Sequence, residues 1–235
     1  MKIELDTREA ERAVGRVFAN QIPFAMMLTL NEIGVDALNA VEREIEDTFD
    51  NPTRWTKKAF YLRRASKRNL FALIERKTAV GRRNYLETQS QGGVRPQTGL
   101  EKLLSKRLPY SGHFRTVTPA SGMRLNKYGN VSPGQLQRVL SGVKAQRDSA
   151  QNQTKKSKAR HGKRESYFVA REGRHLSPGI YSRKDRKIKK VLHLSSSAAN
   201  YRVKLNVGKP IERVVSQDFA PKLARHLQRA IRTAK

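Results

Sequence analysis

Residues 167–194 carry three short apolar runs, Tyr167-Phe168-Val169-Ala170, Gly179-Ile180-Tyr181-Ser182 and Ile188-Lys189-Lys190-Val191-Leu192-His193-Leu194. Each run is rich in branched or aromatic residues, which favour strands, and turn-forming or strongly charged residues separate the runs. The spacing predicts a three-stranded antiparallel meander. Because a small sheet is stable only when an apolar face is covered, we expect helices and further strands to pack with it.

Two earlier apolar runs predict the remaining strands. Trp55 to Leu62 and Leu70 to Ile74 flank the basic segment Arg63-Arg64-Ala65-Ser66-Lys67-Arg68-Asn69, a pattern typical of an antiparallel hairpin. We expect this hairpin and the meander to form one sheet. Its aromatic residues alternate with arginine and lysine, so they belong either to the core or to a platform on which nucleic-acid bases stack.

The N-terminal region predicts two helices. Asp6-Thr7-Arg8-Glu9 has the spacing of a capping box and predicts a helix over 7–19. Ile22-Pro23 then starts a second helix, because proline suits a first helical turn, and this helix runs to about Phe49. Asp50-Asn51-Pro52 ends it. Its polar face is acidic, and we expect that face either to be solvated or to dock on a basic surface of the same or a neighbouring copy.

Residues 84–165 form the least regular part of the chain. The sequence predicts a loop at 89–96, a short helix from Thr98 to about Arg107 and an extended, turn-rich segment at 111–130. Ser132-Pro133 combines an N-cap residue with a proline at the first helical position, and the helix that follows should end near Arg147.

Residues 148–165 contain no apolar residue larger than alanine and cannot bury enough surface to offset the entropy of ordering. We therefore expect this segment to be mobile unless bound. Near the C-terminus, apolar residues at helical spacing predict a helix from about Pro210, which Pro221 begins or kinks.

The predicted fold class is therefore α+β. An antiparallel sheet, made of the hairpin and the three-stranded meander, is packed by N-terminal and C-terminal helices. We expect a single domain over 1–235 with a long, basic, irregular insertion at 84–165.

Charge is the strongest signal of function. The chain of 235 residues has 49 lysines and arginines against 20 acids, a formal net charge of +29. Residues 1–50 carry a net charge of −6 and residues 51–235 a net charge of +35. Such an excess favours nucleic acid, acidic protein surfaces or anionic lipid. The candidate residues for binding nucleic acid or an acidic partner are Arg63, Arg64, Lys67, Arg68, Lys155, Lys156, Lys158, Arg160, Lys163 and Arg164.

Several function classes find no support. The absence of cysteine rules out disulfides, thiolate zinc sites, iron–sulfur clusters and thiol nucleophiles. No apolar run approaches the roughly 20 residues of a membrane span, and the first residues do not resemble a signal peptide. The five histidines lack metal-ligand spacing, the acids outside 1–50 are dispersed, and no nucleotide-binding motif is present. We predict no enzyme activity, no catalytic or metal-binding residues, no cofactor and no membrane partner.

Two motifs resemble a known family. Met123-Arg124-Leu125-Asn126-Lys127-Tyr128-Gly129-Asn130-Val131-Ser132-Pro133-Gly134-Gln135 resembles a stretch of tailed-bacteriophage tail-completion proteins similar to the lambda minor tail protein Z. His175-Leu176-Ser177-Pro178-Gly179-Ile180-Tyr181-Ser182-Arg183 resembles a motif of the same family that leads into a strand. The resemblance extends over most of the chain, although both motifs are also ordinary turn chemistry. Its residues are Tyr128, Gly129, Asn130, Ser132, Pro133, Gly134, Pro178, Gly179, Ile180 and Tyr181.

The resemblance implies a structural virion protein at the tail or head–tail junction, with no catalytic residues to carry over. Such a protein would assemble as a homo-oligomeric ring or joining piece and contact portal, adaptor or tail proteins, and whether it also contacts exiting DNA stays open. Its expected location is the virion, and the host cytoplasm during assembly. The charge alone supports an alternative, a nucleic-acid-binding protein without sequence specificity, either ribosome-associated or chromosomal.

Overall fold

The computed structural model describes residues 8–77, 85–108, 113–160, 165–170 and 175–233. Over these residues the fold is α+β, with antiparallel sheets and long helices towards both ends of the chain, as the sequence predicts. The chain divides into two compact units, Met1–Ser90 together with Val203–Lys235, and Gln91–Arg202. Each unit is described by itself below.

The helices of the described residues are α1 (Arg8–Thr48), α2 (Arg54–Lys57), α3 (Tyr85–Gln91), α4 (Gly99–Arg107), α5 (Pro133–Gly142), α6 (Lys155–Arg160) and α7 (Gly208–Arg232), with a 3-10 turn at Ser149–Gln151. The strands are β1 (Phe60–Arg63), β2 (Leu73–Arg76), β3 (Gly93–Val94), β4 (Thr116–Pro119), β5 (Ser166–Val169), β6 (Gly179–Lys184), β7 (Lys187–Ser195) and β8 (Asn200–Tyr201).

In the first unit, α1 is a single helix with one buried stripe. The residues of this stripe lie four positions apart, so they fall on one side of the helix. The helix α1 packs against α7. The predicted break at Ile22-Pro23 is wrong, because α1 continues through Pro23. A proline removes one backbone hydrogen bond, and the packed turns that begin directly after it keep the chain helical. The capping box begins outside the described residues. The stripe consists of Ala25, Thr29, Ile33, Ala37, Val41 and Ile45.

The hairpin of β1 and β2 forms a sheet of its own against α1, so the prediction that it joins the meander is wrong. Two contacts explain its position. A Cβ at Gly34 would lie 2.6 Å from Leu62 Cδ1, so the glycine lets β1 approach the helix closely. The Asn31 side chain accepts from the Ala65 amide at 2.7 Å and donates to the Ala65 carbonyl at 3.1 Å. Trp55, expected near a strand, lies in α2.

In the second unit, β5, β6 and β7 form the predicted meander. The fourth strand of this sheet is β4, and the strand order is β4-β7-β6-β5. One edge of β7 pairs with β6, and its opposite edge pairs with β4 from Thr116↔Ser195 to Pro119↔Leu192. The strands β3 and β8 form a further short pair.

Residues from 84–165 supply much of the core of this unit. The helix α4 lies where a short helix is predicted, with Thr98 as its N-cap, and Ser132 caps α5 as predicted. The helix α5 ends at Gly142, well before the expected Arg147, because Lys144 adopts a φ of +59° and closes a Schellman motif. The core contains Leu104, Leu108, Phe114, Met123, Val139, Leu140, Val143, Ala145, Ile180, Val191, Leu192 and Leu194.

Two predictions about chain organisation stay predictions. One is the single domain over 1–235 with its insertion at 84–165, and the other is the mobility of 148–165. In the described part of that segment, α6 buries none of its residues.

Candidate functional site

The predicted basic cluster of the hairpin lies at the end of β1, where Arg63 is, and in the loop that joins β1 to β2. Arg63 forms an ion pair with Glu75 at 3.3 Å, and the Lys67 ammonium lies 4.9 Å from the centroid of the Phe24 ring. Arg64 and Arg68 are exposed and have no ion pair among the described residues. Half of this cluster is therefore engaged inside the chain, and half remains available to a partner.

The second predicted basic cluster lies on α6. Lys155, Lys156, Lys158 and Arg160 are exposed there, and none has an ion pair with a described residue. Lys163 and Arg164 lie outside the described residues. The two basic clusters belong to different units.

The first family-like motif forms a turn and a helix cap. Tyr128-Gly129-Asn130 is a tight turn in which Asn126 Oδ1 accepts from the amides of residues 128 and 130 at 2.9 Å and 3.0 Å, and Gly129 has a φ of +72°. In Ser132-Pro133-Gly134, the serine hydroxyl accepts from the Gln135 amide at 3.3 Å and the proline starts α5. These residues have local structural roles.

The second family-like motif, Pro178-Gly179-Ile180-Tyr181, positions the start of β6. A Cβ at Gly179 would lie only 2.7 Å from the Leu192 carbonyl oxygen, so the two strands need a glycine there. Ile180 is fully buried, and the Tyr181 hydroxyl donates to the Ser177 carbonyl at 2.8 Å. This motif therefore also fixes the fold.

A groove that the sequence did not predict opens in the second unit, with a volume of about 1280 Å³. Its floor continues the sheet face that α5 covers, beyond the end of the apolar core. Strand register places Tyr167, Ser182 and Lys189 side by side in one row, and Lys184 directly opposite Lys187 in the next. This face of the sheet is thus apolar under α5 and polar and basic in the groove.

Two glycines set the walls of the groove. A Cβ at Gly142 of α5 would lie 2.8 Å from Tyr167 Cδ2, so the helix sits directly on the ring. Gly122, on another side of the groove, donates its amide to the Lys190 carbonyl at 2.9 Å, and a Cβ there would lie 2.6 Å from that oxygen. A residue with a Cβ at either position would displace the neighbouring wall of the groove.

The groove carries an uncompensated positive charge. Five cations line it against two carboxylates, Glu165 and Asp185, and none of the five has an ion pair within the described part of the chain. Glu165 accepts a hydrogen bond from the Tyr167 hydroxyl at 3.0 Å. Burial, together with Glu165, raises the pKa of Tyr167 to about 12, which keeps this phenol protonated. The cations are Arg124, Arg138, Lys184, Lys187 and Lys189.

The sequence contained one signal for this surface. Lys187 and Lys189 are two residues apart in a strand, so they lie on the same face. The other cations could not be found in this way, since Arg124 and Arg138 reach the groove only through the tertiary fold.

Four acids on the polar face of α1 are paired within the same chain. Glu32 Oε2 lies 2.5 Å from Arg225 Nη2 and 2.8 Å from His226 Nε2, and Asp36 forms an ion pair with Lys222. Hydrogen bonds from Arg225 and His226 lower the pKa of Glu32 to about 2. Nearer the end of α1, Glu42 pairs with Lys58 and Glu46 with Lys57. Of the alternatives left open above, docking on a basic surface of the same chain therefore holds for these four acids.

In the part of the chain that the structure describes, no three histidine, aspartate or glutamate side chains group as a metal site. Within those ranges, no helix combines the length and the apolar character that a membrane crossing needs. The predictions about enzyme activity and cofactors stay predictions.

Comparison with models of protein families, with curated proteins and with solved structures gave no match to this chain. Function therefore has to be argued from its own residues, and the resemblance to tail-completion proteins stays a prediction.

Proposed function

We propose that this chain is a structural virion protein of a tailed bacteriophage. It acts as a tail-completion or head–tail connector component, assembles as a ring or joining piece, and contacts acidic partner surfaces or exiting DNA. The observation that carries the proposal is which charged side chains of the protein are paired within the chain and which are not. Four acids of α1, Glu32, Asp36, Glu42 and Glu46, are paired inside the chain. The cations of α6 and of the groove are exposed and have no ion pair with a described residue.

This distribution favours binding to anions from outside the chain. A net charge of +29 repels itself, and the free energy of that repulsion is relieved when the surface meets phosphate or carboxylate groups. The paired acids of α1 could bind a neighbouring copy only by giving up partners such as Arg225 and Lys222. The proposal therefore assigns the acidic contact to a different molecule, such as a portal, adaptor or tail protein or DNA.

The assignment to a phage particle is supported by the resemblance in residues 123–135 and 175–183. Partners of this class would be further copies of the chain and the proteins of the neck or tail. The chain would reside in the virion, after assembly in the host cytoplasm.

A complementation experiment tests this function. The coding sequence is deleted from the genome of the phage, and the chain is supplied from a plasmid. We expect the deletion to give heads and tails that fail to join or complete, and the wild-type chain to restore complete particles that contain it. Complete, infectious particles without the chain would contradict the proposal.

The groove favours a second function, a nucleic-acid-binding protein without sequence specificity, either ribosome-associated or chromosomal. Its signature would be an affinity that falls steeply with salt. Cell fractionation separates the two functions, because this alternative places the chain with ribosomes or the chromosome, and the first places it in particles.

A further inference from the structure

We propose that the groove of the second unit binds the phosphodiester backbone of a nucleic acid without reading its bases. This deepens the DNA contact in the proposed function and rests on it for the identity of the nucleic acid. The binding residues are Arg124, Arg138, Lys184, Lys187 and Lys189.

The strand register indicates that this site is built for an anion. Lys184 and Lys187 lie directly opposite each other across the β6–β7 hairpin, and Lys189 follows on the same face. Like charges at directly opposed positions destabilise a sheet, and this cost is relieved when an anion lies between them. The hairpin turn is tight, because Asp185 and Arg186 have φ values of +48° and +64°, so the two lysines cannot separate along the strands.

The size and lining of the groove favour a polymer over a single phosphate ion. About 1280 Å³ is far more than one phosphate occupies, and the cations come from the loop before α5, from α5 itself and from both strands of the hairpin. The lining also includes serine and asparagine side chains, such as Ser132, Ser157 and Asn152. Such groups commonly donate hydrogen bonds to phosphate oxygens.

The groove offers little to a peptide or to a base. Among the described residues, Leu125 is the one aliphatic side chain that lines the groove, so they offer an acidic peptide no pocket for apolar anchors. Tyr167 is the one aromatic residue in the described part of the lining, but its ring lies against Gly142 and its hydroxyl donates a hydrogen bond to Glu165. Because none of the described lining residues offers a free aromatic face for stacking, we expect binding to the backbone alone.

The test measures binding of labelled duplex DNA of mixed sequence by fluorescence anisotropy, in 50 to 300 mM salt. The groove variant carries Lys184→Gln, Lys187→Gln and Lys189→Gln. Its matched control carries Lys102→Gln, Lys106→Gln and Arg202→Gln, which remove the same charge from exposed positions of the same unit outside the groove. Circular dichroism confirms that both variants fold.

We expect the groove variant to bind roughly tenfold more weakly, with a slope of log affinity against log salt that is reduced by about 2.7, since each phosphate contact contributes about 0.9. The control should stay within about twofold of wild type, and scrambling the DNA sequence should change nothing. Equal losses in both variants, or wild-type binding by the groove variant, would overturn the proposal. The proposal would also be overturned if polyglutamate displaced the labelled DNA as effectively as unlabelled DNA of equal charge.

A second measurement on the wild-type protein does not depend on the folding of any variant. DNA should protect Lys184, Lys187 and Lys189 from acetylation by an activated ester, as read by mass spectrometry, and leave Lys102 and Lys106 unprotected. Protection spread evenly over the lysines would overturn the site. These results are independent of particle complementation, so a failure of the groove and a failure of the phage assignment can be told apart.

Discussion

We expect Glu101→Gln to destabilise the unit of residues 91–202 by about 3 kcal/mol at neutral pH. The Glu101 side chain is 1% exposed, and its carboxylate accepts five hydrogen bonds. Two come from the Arg95 guanidinium at 3.1 Å and 2.7 Å, two from the amide and hydroxyl of Thr98, and one from the Val117 amide. Glutamine has a similar shape but turns an amide NH₂ towards donors.

Two arguments give the size of the destabilisation that we expect from Glu101→Gln. Burial raises the pKa of Glu101, but the hydrogen bonds from Arg95, Thr98 and Val117 outweigh it and lower the pKa from 4.5 to about 2. A decrease of that size in the pKa on folding corresponds to about 3 kcal/mol of unfolding free energy, because each tenfold change in proton affinity contributes about 1.4 kcal/mol. Removing one partner of a buried ion pair costs about 3–5 kcal/mol in other proteins.

The sign of the pH dependence is fixed by the direction of this change. Because the folded-state pKa lies below the unfolded value, the carboxylate stabilises the fold above about pH 4.5 and loses this effect as the pH falls towards 2. Most of the difference between wild type and Glu101→Gln should therefore disappear over that interval.

The assay is urea unfolding followed by circular dichroism, together with hydrogen exchange of peptides that cover α4 and β4. Glu212→Gln, at an exposed position of α7, is the matched control and should change stability by less than about 0.5 kcal/mol. A Glu101→Gln protein within 1 kcal/mol of wild type at pH 7, or a difference that does not shrink in acid, would refute this reasoning.

Three further changes give separate predictions. Glu32→Gln should cost about 1 kcal/mol, because this carboxylate is 35% exposed and solvent weakens its pairs; with a pKa of about 2, its contribution should fade between pH 5 and 2 in acid unfolding curves. Gly179→Ala should cost about 1–3 kcal/mol in thermal unfolding, because a Cβ would press on the Leu192 carbonyl. Replacing the basic residues of the α6 region by serine should leave the melting curve unchanged but weaken particle assembly or DNA retention, and unchanged assembly and retention would show that they are dispensable. The residues are Lys155, Lys156, Lys158, Arg160, Lys163 and Arg164.

The parts of the fold that could be predicted depend on nearby residues. Thr98 and Ser132 bond to amides three positions further along, so the starts of α4 and α5 are visible in the sequence. The meander is similarly local, since its strands follow one another along the chain.

The missed features depend on contacts between distant residues. The pairing of β4 with β7 joins positions almost 80 residues apart, Thr116 with Ser195. The hairpin docks on α1 through Asn31, whose side chain gives no sign of a partner at Ala65. The groove depends on the same kind of contact, because its arginines precede its lysines by dozens of residues.

Locating the chain by electron cryo-microscopy in purified particles of the phage that encodes it tests the central proposal most directly. We predict density for several copies at the tail or head–tail junction, arranged as a closed ring or joining piece, with the basic surface of residues 91–202 against DNA or an acidic neighbouring protein. Particles that are complete and lack the chain, with the protein found instead on ribosomes or chromosomal DNA, would contradict it.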